Sequence, residues 1–578
     1  SWVLRMSEIK SCAQGRAHGV HTEIPREQIK YLKKELGIPD LAARLLCVRG
    51  FMDLEKAHKF LHPKLEDLSD PFLLPDIEQG IRRTTEAIQK QENICLYGDY
   101  DADGVTSVAI LSNFFRHIGI NPGIYIPGRH EGYGLNINAV KKFKEQGVSL
   151  LICVDCGSSN REEIDEAKKN GMDVLVIDHH ETSKVQPSPV ALINPKRIDS
   201  RFPTRELAAC GVAFFFVLAL RRSLTHLGLL GHHINLKKEL DLVTVGSIGD
   251  MVPLVNDNRI LVKFGMATMR RKPRTWLKAF FSERIIYRGI IDEYALNFIV
   301  VPRINAAGRI ADARQALEFL ITEDDRSARA LLAELNETNR RRQKIEEDIV
   351  REISYSLAEE DLTTRKSIVL YNQDWHLGVI GIVAQKVMEK FGKPSIILTR
   401  VGDYLKGSGR GGNGIDLYHT VASLSPFLLK YGGHKFACGI ALTEEKLGSF
   451  ANAFEESITA PITPRERGHK ADACAGFEEL TLDLMEFLEN LSPFGMGNPR
   501  PNLVMFPTAL SQKNRFVKVT DTGNRVWYGS IQGQCEIPQS GPLKIIVTPI
   551  LRELRGERFI HLNIKDILPV EIMTNKES

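Results

Sequence analysis

The 578-residue chain reads as an α/β protein with an all-β end. A parallel-sheet α/β domain over residues 76–322 is followed by a connecting helix over 323–360, a smaller α/β domain over 361–465 and an all-β barrel over 466–578, with an N-terminal region over 1–75 in front. Three observations predict this. Continuously apolar strands alternate with helical stretches, the pattern of a parallel sheet covered on both faces. Residues 323–360 are rich in Glu, Arg, Ala and Leu and contain neither Gly nor Pro. After residue 470 short apolar runs are separated by Gly, Asn and Pro turns, as in small barrels.

Taken in order, helical patterns occur near Glu27–Leu36 and Leu41–Val48, and Asp67-Leu68-Ser69-Asp70 with Pro71 and Pro75 closes the leader. Then come helix 77–91, strand Ile94–Tyr97, helix 105–118, strand Gly123–Ile126, helix 138–146, strand Leu150–Val154, helix 161–170 and strand Val174–Ile177. In such sheets ligands sit beyond the carboxyl ends of the strands. Leu331, Leu332, Leu335, Ile345, Ile349 and Ile353 recur at helical spacing on the connecting helix. That helix also carries Arg340-Arg341-Arg342-Gln343-Lys344, either a solvated face or a set of phosphate contacts. The strand–helix pattern returns at Ser367–Tyr371, 379–391 and Pro394–Thr399, and Gly407–Gly414 and Gly432-Gly433-His434 read as glycine-rich turns. Beyond Pro461 and Pro464, candidate strands are Asn502–Phe506, Arg515–Val519, Arg525–Ser530, Leu543–Pro549 and Phe559–Leu562.

Composition is that of a soluble globular chain, 43% hydrophobic and 26% charged. A net charge of +4 and a pI of about 8.4 allow a polyanionic partner only through a local basic groove. Nine cysteines are scattered, and Cys153-x-x-Cys156 has no second pair, so all read as reduced thiols of a cytoplasmic protein. The longest apolar stretch, Val212–Leu220, is short of the ~20 residues of a membrane span. Ser1-Trp2-Val3-Leu4-Arg5-Met6 has no signal-peptide apolar region, and Met6 is a candidate start.

Chemistry concentrates at strand ends. Asp99, Asp101 and Asp103 lie two residues apart after an apolar strand, an arrangement whose repulsion a cation relieves. An EF-hand loop needs a carboxylate at its twelfth position, which here is Ile110, so that calcium site is excluded. Helix capping by Asp103 would account for one carboxylate, not three. Asp155 reads as a metal-bridging carboxylate or as a cap for the helix at Arg161. Asp178-His179-His180-Glu181 reads as metal-ligating imidazole backed by carboxylate. Asp250 ends a helix, where a negative charge is unfavourable unless a cation is near. Gly407, Gly409 and Gly412 match G-x-G-x-x-G, but no acidic residue stands near Lys430 to bind a ribose. Arg410 and His434, beside glycines, are phosphate candidates.

The motifs Tyr97–Ser107, Val154–Ser158, Ile177–Glu181, Gly246–Leu254 with Asn258-Arg259, Pro302–Arg309, Gly407–Gly411 and Gly432–Gly439 resemble the DHH phosphoesterase superfamily. Pro302–Arg309, the loop Pro493–Pro499 and the β-barrel resemble in particular its RecJ single-strand exonuclease branch. The resemblance implies a DHH catalytic domain, a DHHA1 substrate domain and an OB-fold-like domain. It implies that Asp101, Asp103, Asp155, His179 and Asp250 ligate two Mn²⁺ or Mg²⁺ ions, with Asp155 bridging and Asp99 beside them. Some relatives have a histidine ligand where this chain has Tyr97. His180 would face the scissile phosphate, and Arg303, Asn305, Arg309, Arg410 and His434 would hold substrate phosphates. Phe506, Phe516 and Trp527 are candidate base-stacking residues. The implied activity is 5′-to-3′ hydrolysis of single-stranded DNA to 5′-mononucleotides in recombination and repair. A helicase and a single-strand-binding protein are the implied partners, and no membrane is involved. The alternatives are a phosphodiesterase of the same superfamily for nano-RNA or dinucleotides, and a replication scaffold without catalysis.

Overall fold

The computed structural model describes residues 25–182, 185–230, 234–287, 291–358, 362–412, 414–458, 470–532, 537–538, 541–554 and 556–570. The candidate start Met6 and the linker around Pro461 and Pro464 lie outside them. Two compact units form: one from Ser69–Val252 with Phe264–Glu466, the other from Ser1–Leu68, Pro253–Lys263 and Arg467–Ser578.

In the larger unit the first sheet is parallel throughout. Its strands are β1 (Ile94–Tyr97), β2 (Gly123–Tyr125), β3 (Leu150–Val154), β4 (Asp173–Ile177) and β5 (Ala191–Ile193), in the order β2-β1-β3-β4-β5. Every residue of β1 and β3 is buried, because helices cover both faces. The chain runs outward from β1 to β2 and then returns past β1 to β3, so the sheet has its switch point between β1 and β3. Ligand sites form at such points, where the loops leaving two strands diverge. The helix after β1 begins at Ala102, three residues before the apolar pattern starts, because Asp101 caps it. Helix Ala209–His226 is long and apolar enough by composition to cross a membrane, but 67% of it is buried inside this unit, as a core helix is.

Helix Asp325–Ser356 leads to a mixed second sheet. Its strands are β6 (Ile368–Tyr371), β7 (Ser395–Val401), β8 (Tyr404–Arg410), β9 (Lys430–His434) and β10 (Ala437–Leu442), in the order β6-β7-β8-β10-β9. Here the sequence expectation is corrected: the glycine-rich stretches at Gly407 and at Gly432-Gly433 are strands, not turns. The glycines of β8 serve packing. A Cβ on Gly409 would lie 2.5 Å from the Cys438 sulfur and 3.2 Å from Ile396 and Leu417.

In the smaller unit, helices Arg26–Leu36, Asp40–Val48 and Leu54–Leu61 share one core with the C-terminal sheet, where Leu45, Phe60, Leu484, Leu503, Val547 and Ile564 are buried together. The sheet joins β11 (Ala473–Cys474), β12 (Leu503–Met505), β13 (Ala509–Lys513), β14 (Phe516–Thr520), β15 (Val526–Ile531), β16 (Leu543–Leu554) and β17 (Glu557–Pro569) in the order β11-β12-β16-β17-β15-β14-β13. The β16–β17 hairpin runs well past the expected ends at Pro549 and Leu562. Arg259, within the resembling motif, donates to the carbonyls of Phe60, Leu491 and Asn490 and lies 3.9 Å from the Phe60 ring centre.

Candidate metal centre

The turn after β1 is built to bring carboxylates inward. A Cβ on Gly104 would lie 2.6 Å from the Asp99 carbonyl oxygen, so only glycine lets the helix start pack against that turn. Asp101 Oδ1 accepts from the backbone N–H groups of Asp103 and Gly104 at 2.9 and 3.1 Å. Asn305 Oδ1 accepts from Ala102 at 2.7 Å. Three amide groups that a helix start leaves unpaired are thereby satisfied. The capping carboxylate is thus Asp101, not Asp103. Asp103 reaches across to a second helix start, accepting from Ala209 and Cys210 at 2.6 and 2.9 Å.

Asp155 leaves β3 with φ of 59°, a left-handed conformation that costs energy for any residue with a Cβ and turns the carboxylate toward the β1 loop. It does not cap the helix at Arg161, whose N-cap residue is Asn160. His179 follows β4 with Nε2 3.2 Å from Asp155 and 3.7 Å from Asp103, and Nδ1 3.6 Å from Asp250. His180 Nδ1 is 2.7 Å from Asp178 Oδ1, and the Tyr133 hydroxyl lies 2.9 Å from His180 Nε2 while donating to the Asp155 carbonyl. Asp178, which also accepts from Ser158, orients histidine and loop.

Among the described residues three overlapping groups of potential ligand atoms result, Asp103–His179–Asp250, Asp99–Asp101–Asp155 and Asp155–His179–His180, each with its atoms within 4.8 Å of one another. Burial and the neighbouring Asp101 charge push the Asp99 carboxyl up to about 8. Burial, then the charges of Asp103, Asp101 and Asp99, raise Asp155 well above the usual carboxylate range. Burial lowers His179, which favours the neutral imidazole that binds metals. Burial disfavours the charged forms of both Asp178 and His180, but their mutual hydrogen bond holds Asp178 low and His180 up at about 9. One oxygen each of Asp99 and Asp155 is buried without a hydrogen-bond partner among the described residues. Orphaned carboxylate oxygens beside a neutral histidine fit divalent cations. Tyr97 takes no part: it is buried, donates to the Gly134 carbonyl at 2.8 Å and stacks on Tyr125.

The expected phosphate-holding residues are only partly gathered. Arg309 is held by the Gly378 carbonyl, and burial followed by the charges of Arg129 and Arg342 pushes it down to about 10. Arg410 donates to Ser408 Oγ and the Gly409 carbonyl, and its charge reaches His434. Asn305 serves the helix start described above. Arg303 is not brought to the carboxylates. Two positions from Asn305 is about 200° around a helix, and its guanidinium is engaged by Asn336 and the Ile299 carbonyl. Sequence reading missed Arg129, whose guanidinium lies 4.4 Å from the Tyr100 ring centre, and Tyr133. Both lie in Arg129–Gly134, a loop whose glycines Gly132 and Gly134 have positive φ and mark a shaped turn. Arg129, Arg309 and His376 line a cavity of about 790 Å³. In the smaller unit Phe516 is 64% exposed, but Trp527 points inward to Phe477 and donates to Asp521, and Phe506 is half-buried. The outward aromatic of β15 is Tyr528, 57% exposed and paired with Lys518.

Comparison with known proteins agrees with this fold. The DHH family N-terminal domain matches residues 93–247, the DHHA1 domain 365–460 and the RecJ OB domain 471–566. The single-stranded-DNA-specific exonuclease RecJ of Escherichia coli is 30% identical over 584 residues, covering 94% of this chain and 100% of its own. The Bacillus subtilis protein of that name is 35% identical over 485 residues, and the match spans 60% of its length and 83% of this chain. A crystal structure of RecJ in complex with Mn²⁺ from Thermus thermophilus superposes with a TM-score of 0.80 at 28% identity, covering 95% of this chain and 79% of that one. A Mg²⁺ complex of RecJ from the same organism gives 0.73.

Proposed function

The chain belongs to the RecJ family of single-stranded-DNA-specific exonucleases, and from that premise we propose that it hydrolyses single-stranded DNA from the 5′ end to 5′-mononucleotides, in DNA recombination and repair. The observation that carries this reading is the set of three overlapping ligand groups beside the β1/β3 switch point. Asp101, Asp103, Asp155, His179 and Asp250 would hold two divalent cations, Mn²⁺ or Mg²⁺, with Asp155 shared, since it belongs to two of the ligand groups. Asp99 or a water would stand in for the histidine ligand that some relatives have at the Tyr97 position. Bound there, such ions stabilise charge on the phosphoryl group and lower the pKa of a water.

The protein's own groups do the rest. His180, fixed by Asp178 and Tyr133, would lie toward the scissile phosphate. Burial and then the charge of Arg129 lower the proton affinity of Arg309, and burial and then the charge of Arg410 lower that of His434; a phosphate chain relieves such repulsion. Water adds to phosphorus as the P–O3′ bond breaks, and the 3′-oxygen leaves with a proton. The exposed Phe516 and Tyr528, beside Lys518, support strand binding by the β-domain. The partner is single-stranded DNA, with a helicase and a single-strand-binding protein as its suppliers in the cytoplasm. Cys47, Cys95, Cys153, Cys156, Cys210 and Cys438 are buried thiols outside any disulfide, in keeping with that compartment.

Asp155→Asn tests this. Hydrolysis of a long single strand in Mn²⁺ is expected to vanish while strand binding stays close to normal. Full turnover by the variant would refute the assignment. Parallel turnover of a dinucleotide separates this activity from that of a short-substrate phosphodiesterase.

A further inference from the structure

The arginine run on the connecting helix is not absorbed by the metal centre. Helix geometry divides it. Arg342 points inward, where Glu346 and Asn339 bind it. Arg341 donates to the Ile310 carbonyl. Arg340 and Gln343, three residues apart, face a groove of about 480 Å³ together with Asn336 and Asn339. The opposite wall is Phe298, Ile299 and Arg303.

That wall is shaped by an irregularity. Leu296–Val300 is a π-helical turn leading into helix Val301–Ile310. Such a turn holds an extra residue and recurs at functional sites. Here it accompanies outward-facing apolar side chains: Phe298 is 59% exposed, and its ring lies 4.5 Å from that of Tyr294, which is 66% exposed. A two-ring platform left in water has no role in the core. No carboxylate lines the groove among the described residues. At its rim Arg340 pairs with Glu337 at 2.9 Å, both well exposed, and a pair of that kind is weak enough to exchange for a phosphate.

Guanidinium groups for phosphates, amides for base edges and an exposed aromatic pair for base faces are the parts of a single-strand platform. We propose that the groove between Phe298–Arg303 and Asn336–Gln343 is an accessory single-strand-binding surface, separate from the metal centre and from the β-domain. The strand's bases stack on Phe298 and Tyr294, and its phosphates meet Arg340 and Arg303. The groove lengthens the grip on long substrates and leaves the chemistry of short ones alone. It presupposes single-stranded DNA as the substrate, as proposed above.

The test uses the full chain with Mg²⁺ and phosphorothioate-linked oligothymidylates of increasing length, read by fluorescence anisotropy. The double variant Tyr294→Ala/Phe298→Ala is expected to lose about tenfold in affinity for long strands and nothing for the shortest ones. Arg340→Gln should lower the slope of log affinity against log salt by about 0.7, the loss of one single-strand phosphate contact. Hydrolysis of short unmodified oligonucleotides should be unchanged, which also shows that the variants fold. Wild-type affinity for long strands in both variants overturns the proposal, as does an equal loss at every length. Unchanged strand affinity with lost binding of a synthetic acidic peptide overturns it in favour of a protein-docking groove. A wild-type protein that neither binds nor hydrolyses single strands refutes the exonuclease reading instead.

Discussion

Replacing Asp99 by asparagine should make the metal-free protein more stable. Asp99 is 4% exposed, and burial with the Asp101 charge pushes its carboxyl from 3.8 to about 8. A carboxyl raised on folding costs stability as pH climbs from its unfolded to its folded value; below the first, both states are protonated and nothing is lost. At pH 7 the gap of about three units between 3.8 and the solution corresponds to about 4 kcal/mol at 1.36 kcal/mol per unit. At pH 4.5 the same reasoning leaves about 1 kcal/mol. Asparagine keeps the shape, cannot ionise, and can donate to the adjoining carboxylates. Denaturant unfolding in EDTA should therefore show Asp99→Asn more stable than the parent by several-fold more at pH 7–8 than at pH 4.5. Added Mn²⁺ should reverse the order, since the parent gains more from the ion. Equal stability at pH 8 without metal, or a gap that ignores pH, would refute the electrostatic account.

Two further outcomes follow from the packing. Tyr528→Ala and Phe516→Ala should each weaken binding of single-stranded oligonucleotides with thermal stability unchanged. Trp527→Ala should instead lower stability by about 2–3 kcal/mol, because that ring packs against the core; anisotropy and thermal melts together separate the two. Gly409→Ala should destabilise the larger unit by about 1–3 kcal/mol through the 2.5 Å approach to the Cys438 sulfur, and adding Cys438→Ala should restore part of the loss in a denaturant melt.

Most of the first sheet was legible because its signals are local. Ile94–Tyr97 and Leu150–Val154 are apolar runs closed by turn residues, and both strands end where the sequence says. The candidate ligands Asp99, Asp101, Asp103, Asp155 and His179 were legible as strand-end clusters for the same reason. What was not legible depends on contacts between distant segments. Gly407 and Gly409 have the composition of a turn, and only the Leu398, Ile440 and Cys438 side chains pressing on them make a strand necessary. Trp527 and Tyr528 are equally aromatic, and the inward or outward choice is set by the register of β15 against β14 and β17. Arg303 carries the right charge, but the face of its helix is fixed by Asn305 capping Ala102.

The same distinction explains how so many carboxylates coexist before any cation arrives. Asp101 and Asp103 each sit at a helix start, Asp101 at its own and Asp103 at that of Ala209–His226, 106 residues further along the chain. Helix N-termini carry partial positive charge and unpaired amide donors. Two of them converge on one acidic cluster and offset part of its repulsion. Asp99 and Asp155 have no helix start of this kind, and each keeps an orphaned buried oxygen and a strongly raised carboxyl; burial and the charges of Asp103 and Asp101 push Asp250 up to about 8 as well. The cluster therefore has two halves. One is anchored by backbone amides, which fix its geometry; the other is left electrostatically unsatisfied, and it is there that a divalent cation would relieve most repulsion.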